Sequence, residues 1–372
     1  MMSSLIKKIG GGLVMAMISL FAHAEHQINF PAPVTEIGRQ VYDLHIITMW
    51  IIVGIAVVVY GAMFWSLLKH RKSVGYKPAT FSHSTALEII WTTIPFIILI
   101  AMAYPATKSV IAMKDTSNAD MTVKVTGYQW KWEYDYQQDG FKFMSVLSTP
   151  RDQIEGKEAK GADYLLEVDN PMVVPVNKKV RVLLTANDVI HAWWMPEFGV
   201  KQDAIPGFIR DTWFKVEKPG TYRGQCAELC GKDHGFMPIV VVAKEQADYD
   251  KWVAEQKAKA AAAADTGKDR SKEELVAAGE KIYAANCAGC HQPHGEGMPP
   301  VFPALAGSKI VNGPAAGQID IVMNGKPGTA MPAFAKQMSD GDVAAVITFT
   351  RNSWGNKAGD VVQASEIKAS RK

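Results

Sequence analysis

Cysteine is scarce in this chain: four residues in 372, in two close pairs, Cys226 with Cys230 and Cys287 with Cys290. Each pair has its own sequence context, and neither obliges a disulfide. An excess of one charge is also missing. Forty Lys and Arg against 37 Asp and Glu leave +3 at pH 7, too little to argue for nucleic acid as a partner. No cluster of histidines with an open metal position occurs, so the chain has no site of its own at which dioxygen could bind and be reduced.

What is present falls into unlike segments, and the length suits two or three domains. Lys7 and Lys8 precede an apolar run over 10–22 that ends in Ala22-His23-Ala24. This is the pattern of a secretory signal peptide over 1–24, too short to span a bilayer comfortably. Residues 46–68 carry no charge and as a helix reach about 35 Å, enough to cross a bilayer. A second uncharged run, 89–107, is interrupted by Pro95, which a membrane helix tolerates. Lys69, Arg71, Lys72 and Lys77 between the two mark the cytoplasmic side, so both ends of the hairpin face out. Glu88 opens the second run, where a carboxylate commonly compensates a helix dipole and, in membrane proteins, also belongs to proton relays.

From 121 to 242 the pattern changes to short strands. Residues 121–125 and 180–184 alternate, 236–242 closes the set, and Pro-Gly pairs at 206 and 219 supply turns. Such a segment reads as a β-sandwich. Near its end Cys226, Cys230, His234 and Met237 fall within one short loop, and His191 follows an apolar strand-like run upstream. Thiolate, imidazole and thioether together are a copper set. Two cysteines with two histidines and a methionine match a pair of coppers bridged by both sulfurs, because a single blue copper uses one cysteine. A structural zinc and a simple Cys226–Cys230 disulfide are the alternatives. The wide spacing of His191 from His234 is unlike a zinc finger, and a disulfide leaves His234 and Met237 unexplained.

Residues 246–264 are rich in Ala, Lys, Gln and Glu and read as a helix, followed by a polar linker over 265–270. Then comes Cys287-Ala288-Gly289-Cys290-His291, a c-type haem attachment motif, preceded by an amphipathic helix over 275–285 and followed by a Pro-rich loop. The two thiols form thioethers and His291 reaches the iron. The sixth ligand is Met or His, with Met298, Met323, Met331 and Met338 as candidates. Met323 in a helix from 318 and Met338 at the start of the last helix read as packing. Met298 follows the haem cysteines closely, Met331 lies in a loop between two helices, and His294 reads as a solvent-facing loop residue.

The run Gly-Gln-Cys-Ala-Glu-Leu-Cys-Gly-x-x-His-x-Phe-Met-Pro from Gly224, with His191-Ala192-Trp193 and Asp203-Ala204-Ile205-Pro206-Gly207, resembles subunit II of haem-copper cytochrome c oxidases, from about 45 to 242. The resemblance implies a cupredoxin-like Greek-key sandwich. It places binuclear CuA on His191, Cys226, the backbone carbonyl of Glu228, Cys230, His234 and Met237. It implies further roles: Trp130 as the point of electron uptake, Glu88 at the cytoplasmic mouth of a proton path, the Glu228 side chain on a magnesium shared with subunit I, and Asp203 near that interface. In Gly127-Tyr128-Gln129-Trp130-Lys131-Trp132 the family usually has His and Tyr at the positions of Tyr128 and Lys131, which puts the docking surface for a mobile donor in doubt. Residues 272–354 resemble small class I cytochromes c, whose axial Met falls on Met331 and whose first helix, at Gly279 and Tyr283, packs against the last around Phe349.

The expected molecule is a multidomain membrane protein. It comprises a signal peptide (1–24), an N-terminal segment with a two-helix transmembrane hairpin (25–115), a cupredoxin CuA domain (120–244), a linker (245–271), an all-α cytochrome c domain (272–356) and a tail (357–372). The expected function is subunit II of a proton-pumping cytochrome c oxidase in the bacterial inner membrane. It would carry electrons from an external cytochrome c through its own haem c and CuA to haem and CuB in subunit I, with subunit III as a further partner. The rivals are a CuA-bearing subunit of a nitric oxide reductase and a membrane-anchored copper delivery protein.

Overall fold

The computed structural model describes residues 29–77, 80, 82–264, 269–335 and 337–371. The signal-peptide segment and residues 265–268 of the linker lie outside these. Two long apolar helices come first, α1 (Glu36–Lys69) and α2 (Thr85–Lys114). Both exceed the uncharged runs 46–68 and 89–107, because helical hydrogen bonding does not stop where the hydrocarbon core does. At 1.5 Å per residue, α1 is about 50 Å long against a core of about 30 Å. Thr35 caps α1: its hydroxyl accepts from the Gly38 N–H at 2.8 Å and donates to the Phe198 carbonyl at 2.7 Å. Each helix contains an 18-residue stretch with a mean hydropathy above 2 and no buried residue, as spans facing lipid require.

The second unit, Leu99–Met195 with Val200–Lys372, holds two domains. Ten strands form the first: β1 (Met121–Tyr128), β2 (Lys131–Tyr136), β3 (Phe141–Ser145), β4 (Met172–Pro175), β5 (Val180–Ala186), β6 (His191–Met195), β7 (Val200–Ala204), β8 (Arg210–Phe214), β9 (Gly220–Cys226) and β10 (Pro238–Lys244). They make two sheets of order β3-β2-β1-β5-β8 and β4-β10-β9-β6-β7. The pairings β1 with β5 and β4 with β10 are parallel and the others antiparallel. Alternation drives the arrangement. β5 reads buried, half-buried, buried throughout its length, turning Val180, Val182 and Leu184 into a core with Trp132, Trp193 and Phe214. The end of α2 is tied to this sandwich by the Trp213 indole donating to the Ala112 carbonyl at 3.0 Å.

Helix α3 (Gln246–Ala264) forms where the composition predicts it, and its first turns are part of the sandwich rather than free linker. Trp252 packs on Tyr136, Phe141 and Phe143, with centroids 5.2, 5.5 and 6.1 Å away.

The second domain is helical: α4 (Lys272–Asn286), α5 (Ala315–Asn324), α6 (Asp340–Arg351) and α7 (Ala364–Ser370). Helices α4 and α6 each start at a serine capping box, on Ser271 with Glu274 and on Ser339 with Asp342. Met338 therefore precedes the last long helix rather than opening it. The tail over 357–372 is not an appendage. Val362 and Ile367 are fully buried, and α7 completes the helical core together with α6. Met323 and Met338 are buried in the helical core, 3% and 8% exposed, and His294 is exposed.

Gly279 fixes the crossing of α4 and α6. A Cβ there would stand 2.1 Å from the Ala345 carbonyl oxygen and 2.6 Å from Phe349 Cβ, while Tyr283 lies 5.6 Å from the Phe349 ring. Gly279→Val is expected to destabilise the helical domain by about 1–3 kcal/mol or more through overpacking. Differential scanning calorimetry would show the helical domain's transition moving down with that of the β-sandwich in place.

Candidate metal centres

Cys226 is the last residue of β9 and Pro238 the first of β10, so the loop carrying Cys230, His234 and Met237 is anchored at both ends by paired strands. His191 is the first residue of β6 rather than part of a neighbouring loop. It is completely buried, and it can lie against β1 only because residue 127 is glycine: a Cβ there would stand 2.8 Å from the imidazole. Trp132 supports the assembly from below, its indole donating to the Met237 carbonyl at 3.3 Å and its ring 5.8 Å from that of His191.

Six donor atoms converge. The Cys226 and Cys230 sulfurs are 3.9 Å apart and not bonded to each other, which removes the disulfide alternative in this structure. His191 Nδ1 is 4.0 Å from the Cys226 sulfur, and the Glu228 carbonyl 3.4 Å from it. His234 Nδ1 and Met237 Sδ stand 3.4 and 3.5 Å from the Cys230 sulfur. One tetrahedral ion would use four donors and leave two idle. Two ions sharing both sulfurs would each complete four with one imidazole and one weaker ligand, so the set fits a copper pair. Hydrogen bonding between the two thiols holds Cys226 well below the usual thiol range and pushes Cys230 up. Glu228 turns its carbonyl to the sulfurs and leaves its side chain exposed.

Asp188 is the residue that motif reading missed. Its carboxylate accepts from His191 Nε2 at 2.9 Å and from the backbone N–H groups of Val189 and Gln129 at 2.7 and 2.8 Å. Burial disfavours the Asp188 charge, but these three donors outweigh it and hold the carboxyl below its ordinary range. The contact fixes the His191 tautomer, leaving Nδ1 toward the sulfurs. Burial likewise opposes a charge on His191, and the Asp188 contact overrides it, raising the imidazole pKa. A carboxylate three residues before a histidine is the only signal the sequence offers for this.

In the helical domain Cys287, Cys290 and His291 follow α4 directly. His291 is buried and its Nδ1 donates to the Pro303 carbonyl at 2.8 Å, which leaves Nε2 as the free acceptor an iron requires. Burial lowers the His291 pKa and keeps the ring neutral. It also pushes the Cys287 thiol up to about 12. Met331 is half-buried against the helical core in a loop pinned by the Lys326 N–H on its carbonyl at 3.1 Å. These residues fit a covalent haem.

Trp130 stands between the two centres. Its indole donates to the Cys230 carbonyl at 3.2 Å, and Gln129 donates to the same carbonyl at 2.8 Å. On its far side the ring approaches to 3.8 Å of where a Cβ on Gly289, inside the haem motif, would stand. A cleft of about 540 Å³ opens there, lined by Gln129, Trp130 and Asp233 from the sandwich and by Ala285, Gly289 and Cys290 from the helical domain. Glu88 lies far from this region in the sequence, exposed in the first turn of α2.

Known proteins resemble each part of the chain. Residues 23–108 match the transmembrane domain of cytochrome c oxidase subunit II, 121–244 its periplasmic domain, and 274–349 subunit III of cbb3-type cytochrome c oxidase. A probable cytochrome c oxidase subunit 2 of Rickettsia bellii is 38% identical over 68% of this chain and 93% of its own length. The cytochrome c oxidase subunit 2 of Cereibacter sphaeroides is 36% identical over 60% of this chain and 78% of its own. The crystal structure of the periplasmic domain of cytochrome oxidase subunit II of Bradyrhizobium japonicum is 48% identical, covering 39% of this chain and 98% of that one, with a TM-score of 0.35.

Asp188→Ala is expected to weaken copper binding by about 10–100-fold, as loss of an outer-shell partner does. Because folding lowers the Asp188 pKa, its contribution is complete above the unfolded value of about 3.9 and is lost as pH falls through the folded one. Competition with a copper chelator at neutral and acidic pH checks both expectations.

Proposed function

Because the chain belongs to the cytochrome c oxidase subunit II family and carries a C-terminal cytochrome c domain, we propose that it takes electrons from an external cytochrome c and delivers them to the haem and CuB of subunit I. There dioxygen is reduced to water with proton pumping. The observation that carries this reading is the position of Trp130, in hydrogen-bond contact with the Cys230 carbonyl on one side and against the haem-attachment motif on the other.

His191, Cys226, the Glu228 carbonyl, Cys230, His234 and Met237 would hold the copper pair. Cys287 and Cys290 would attach the haem, with His291 and Met331 on its iron. The two groups, when bound, supply one-electron redox chemistry. The chain's task is to hold them close and still. The strand-anchored loop fixes both buried sulfurs, Asp188 orients His191, the Pro303 carbonyl orients His291, and the Trp132 indole holds the Met237 carbonyl. Trp130 offers an aromatic bridge that needs no motion.

The Glu228 side chain, exposed while its carbonyl faces the sulfurs, would bind the magnesium shared with subunit I, with Asp203 near that interface. Glu88, in the first turn of α2, would stand at the mouth of the proton path. Subunit III completes the partners, in the bacterial inner membrane.

Two measurements test this. The tagged chain purified from membranes should carry two coppers per haem c, show the hyperfine pattern of an electron shared equally by two coppers, and bring with it cyanide-sensitive oxygen consumption. A single-copper pattern would refute the reading. Met331→Leu should abolish the Met–iron absorption of the oxidised haem and lower its potential, since Met ligation raises it. Met298→Leu should leave both as they are.

A further inference from the structure

Lys131 is an anomaly in an otherwise orthodox sandwich. It opens β2, directly after Trp130, and is 3% exposed. Its ammonium has no carboxylate within 4 Å among the described residues. It donates instead to the side-chain carbonyl of Asn286, the residue before the first haem cysteine. It also lies 5.4 Å from the ring centroid of Phe334, three residues past Met331, and 5.9 Å from that of Tyr128, both within cation–π range. Two of its three partners thus belong to the cytochrome domain, one from each segment that would flank the haem. Burial lowers the Lys131 pKa to about 8, and two ring faces with the Asn286 carbonyl are the partners a cation takes. Nearby, Lys232 donates to the Gly289 carbonyl at 2.5 Å.

We propose that Lys131 is a positioning residue: it latches the cytochrome domain onto the Trp130 face of the copper domain and places a buried positive charge beside the haem. A buried ammonium held by two rings and one amide is strongly orientation-dependent, because every displaced seating leaves the charge desolvated and unpartnered. Lys131 therefore selects one docked arrangement. The inference rests on the electron-transfer reading above, but docking itself can be followed without copper.

The test compares the full chain, haem-loaded, with Lys131→Met and Asn286→Leu. Hydrogen exchange of the copper-free protein should show protection lost over 128–132 and 284–290 in both variants. In the copper-loaded protein, the step in which one electron leaves the reduced haem and enters the oxidised copper pair should slow at least tenfold. The haem potential should fall in Lys131→Met, because a nearby cation favours the reduced haem, a change that a purely packing role would not produce. The double variant should be no worse than the more affected single one. Unchanged exchange protection with a transfer rate within twofold of the parent would overturn the proposal, as would additive losses in the double variant. Lost protection in a protein that binds no copper pair would uphold the latch and refute the electron-transfer reading instead.

Discussion

The structure depends on holding two thiols, two imidazoles, a thioether and a backbone carbonyl at fixed positions at one end of a β-sandwich. A metal that changes charge without changing its surroundings exchanges electrons readily. Ligands on a floppy loop would relax after each transfer and raise the barrier. Here the loop after β9 returns at once into β10, so both its ends are fixed by backbone pairing. His191 comes from β6, the strand beside β9, and is oriented by Asp188. The core beneath is aromatic and closed, with Trp132 and Trp193 completely buried. Close packing of this kind resists the small displacements that reorganisation requires.

A tether alone would not place a second redox centre. It raises local concentration without choosing an orientation. Two features here go beyond tethering. The first half of α3 is packed on the sandwich by Tyr249 and Trp252, and Lys257 pairs with Asp139 at 3.0 Å, so the sandwich itself holds the start of the connection. The contacts of Lys131 with Asn286 and of Lys232 with Gly289 then orient the haem motif toward Trp130. The sandwich supplies rigidity, α3 proximity, and the lysines direction.

What could be read from the sequence follows the range of the physics. Cys226 to Met237 is one loop and Cys287 to His291 one turn, so their chemistry is local and visible as spacing. The membrane runs are visible as composition, although their helices extend ten residues further at the start of α1 and seven at the end of α2, where polar turns continue the hydrogen bonding. Asp188 was invisible because its role depends on how β6 folds back beside residue 129. The docking of α7 was invisible because Val362 and Ile367 are two apolar residues in a polar tail, and only the finished core shows that both are needed. Lys131 departs from a family pattern, but a charged residue in a strand ordinarily faces water. Nothing in its neighbours along the chain says that another domain covers it.

A permanent partner and a diffusing one would ask different things of the Trp130 face. A face visited by a diffusing protein must be wetted and released at every encounter, and a lysine stripped of water, with no carboxylate within 4 Å among the described residues, would tax each visit by several kcal/mol. A domain on the same polypeptide meets that cost once, on folding, with effective concentration to offset it. Lys131 is thus tolerable only because the partner is permanent, and its presence beside Trp130 makes that face a poor landing site for anything else. On the proposed reading, an external donor would be recognised at the exposed surface of the cytochrome domain, by chemistry independent of the copper site.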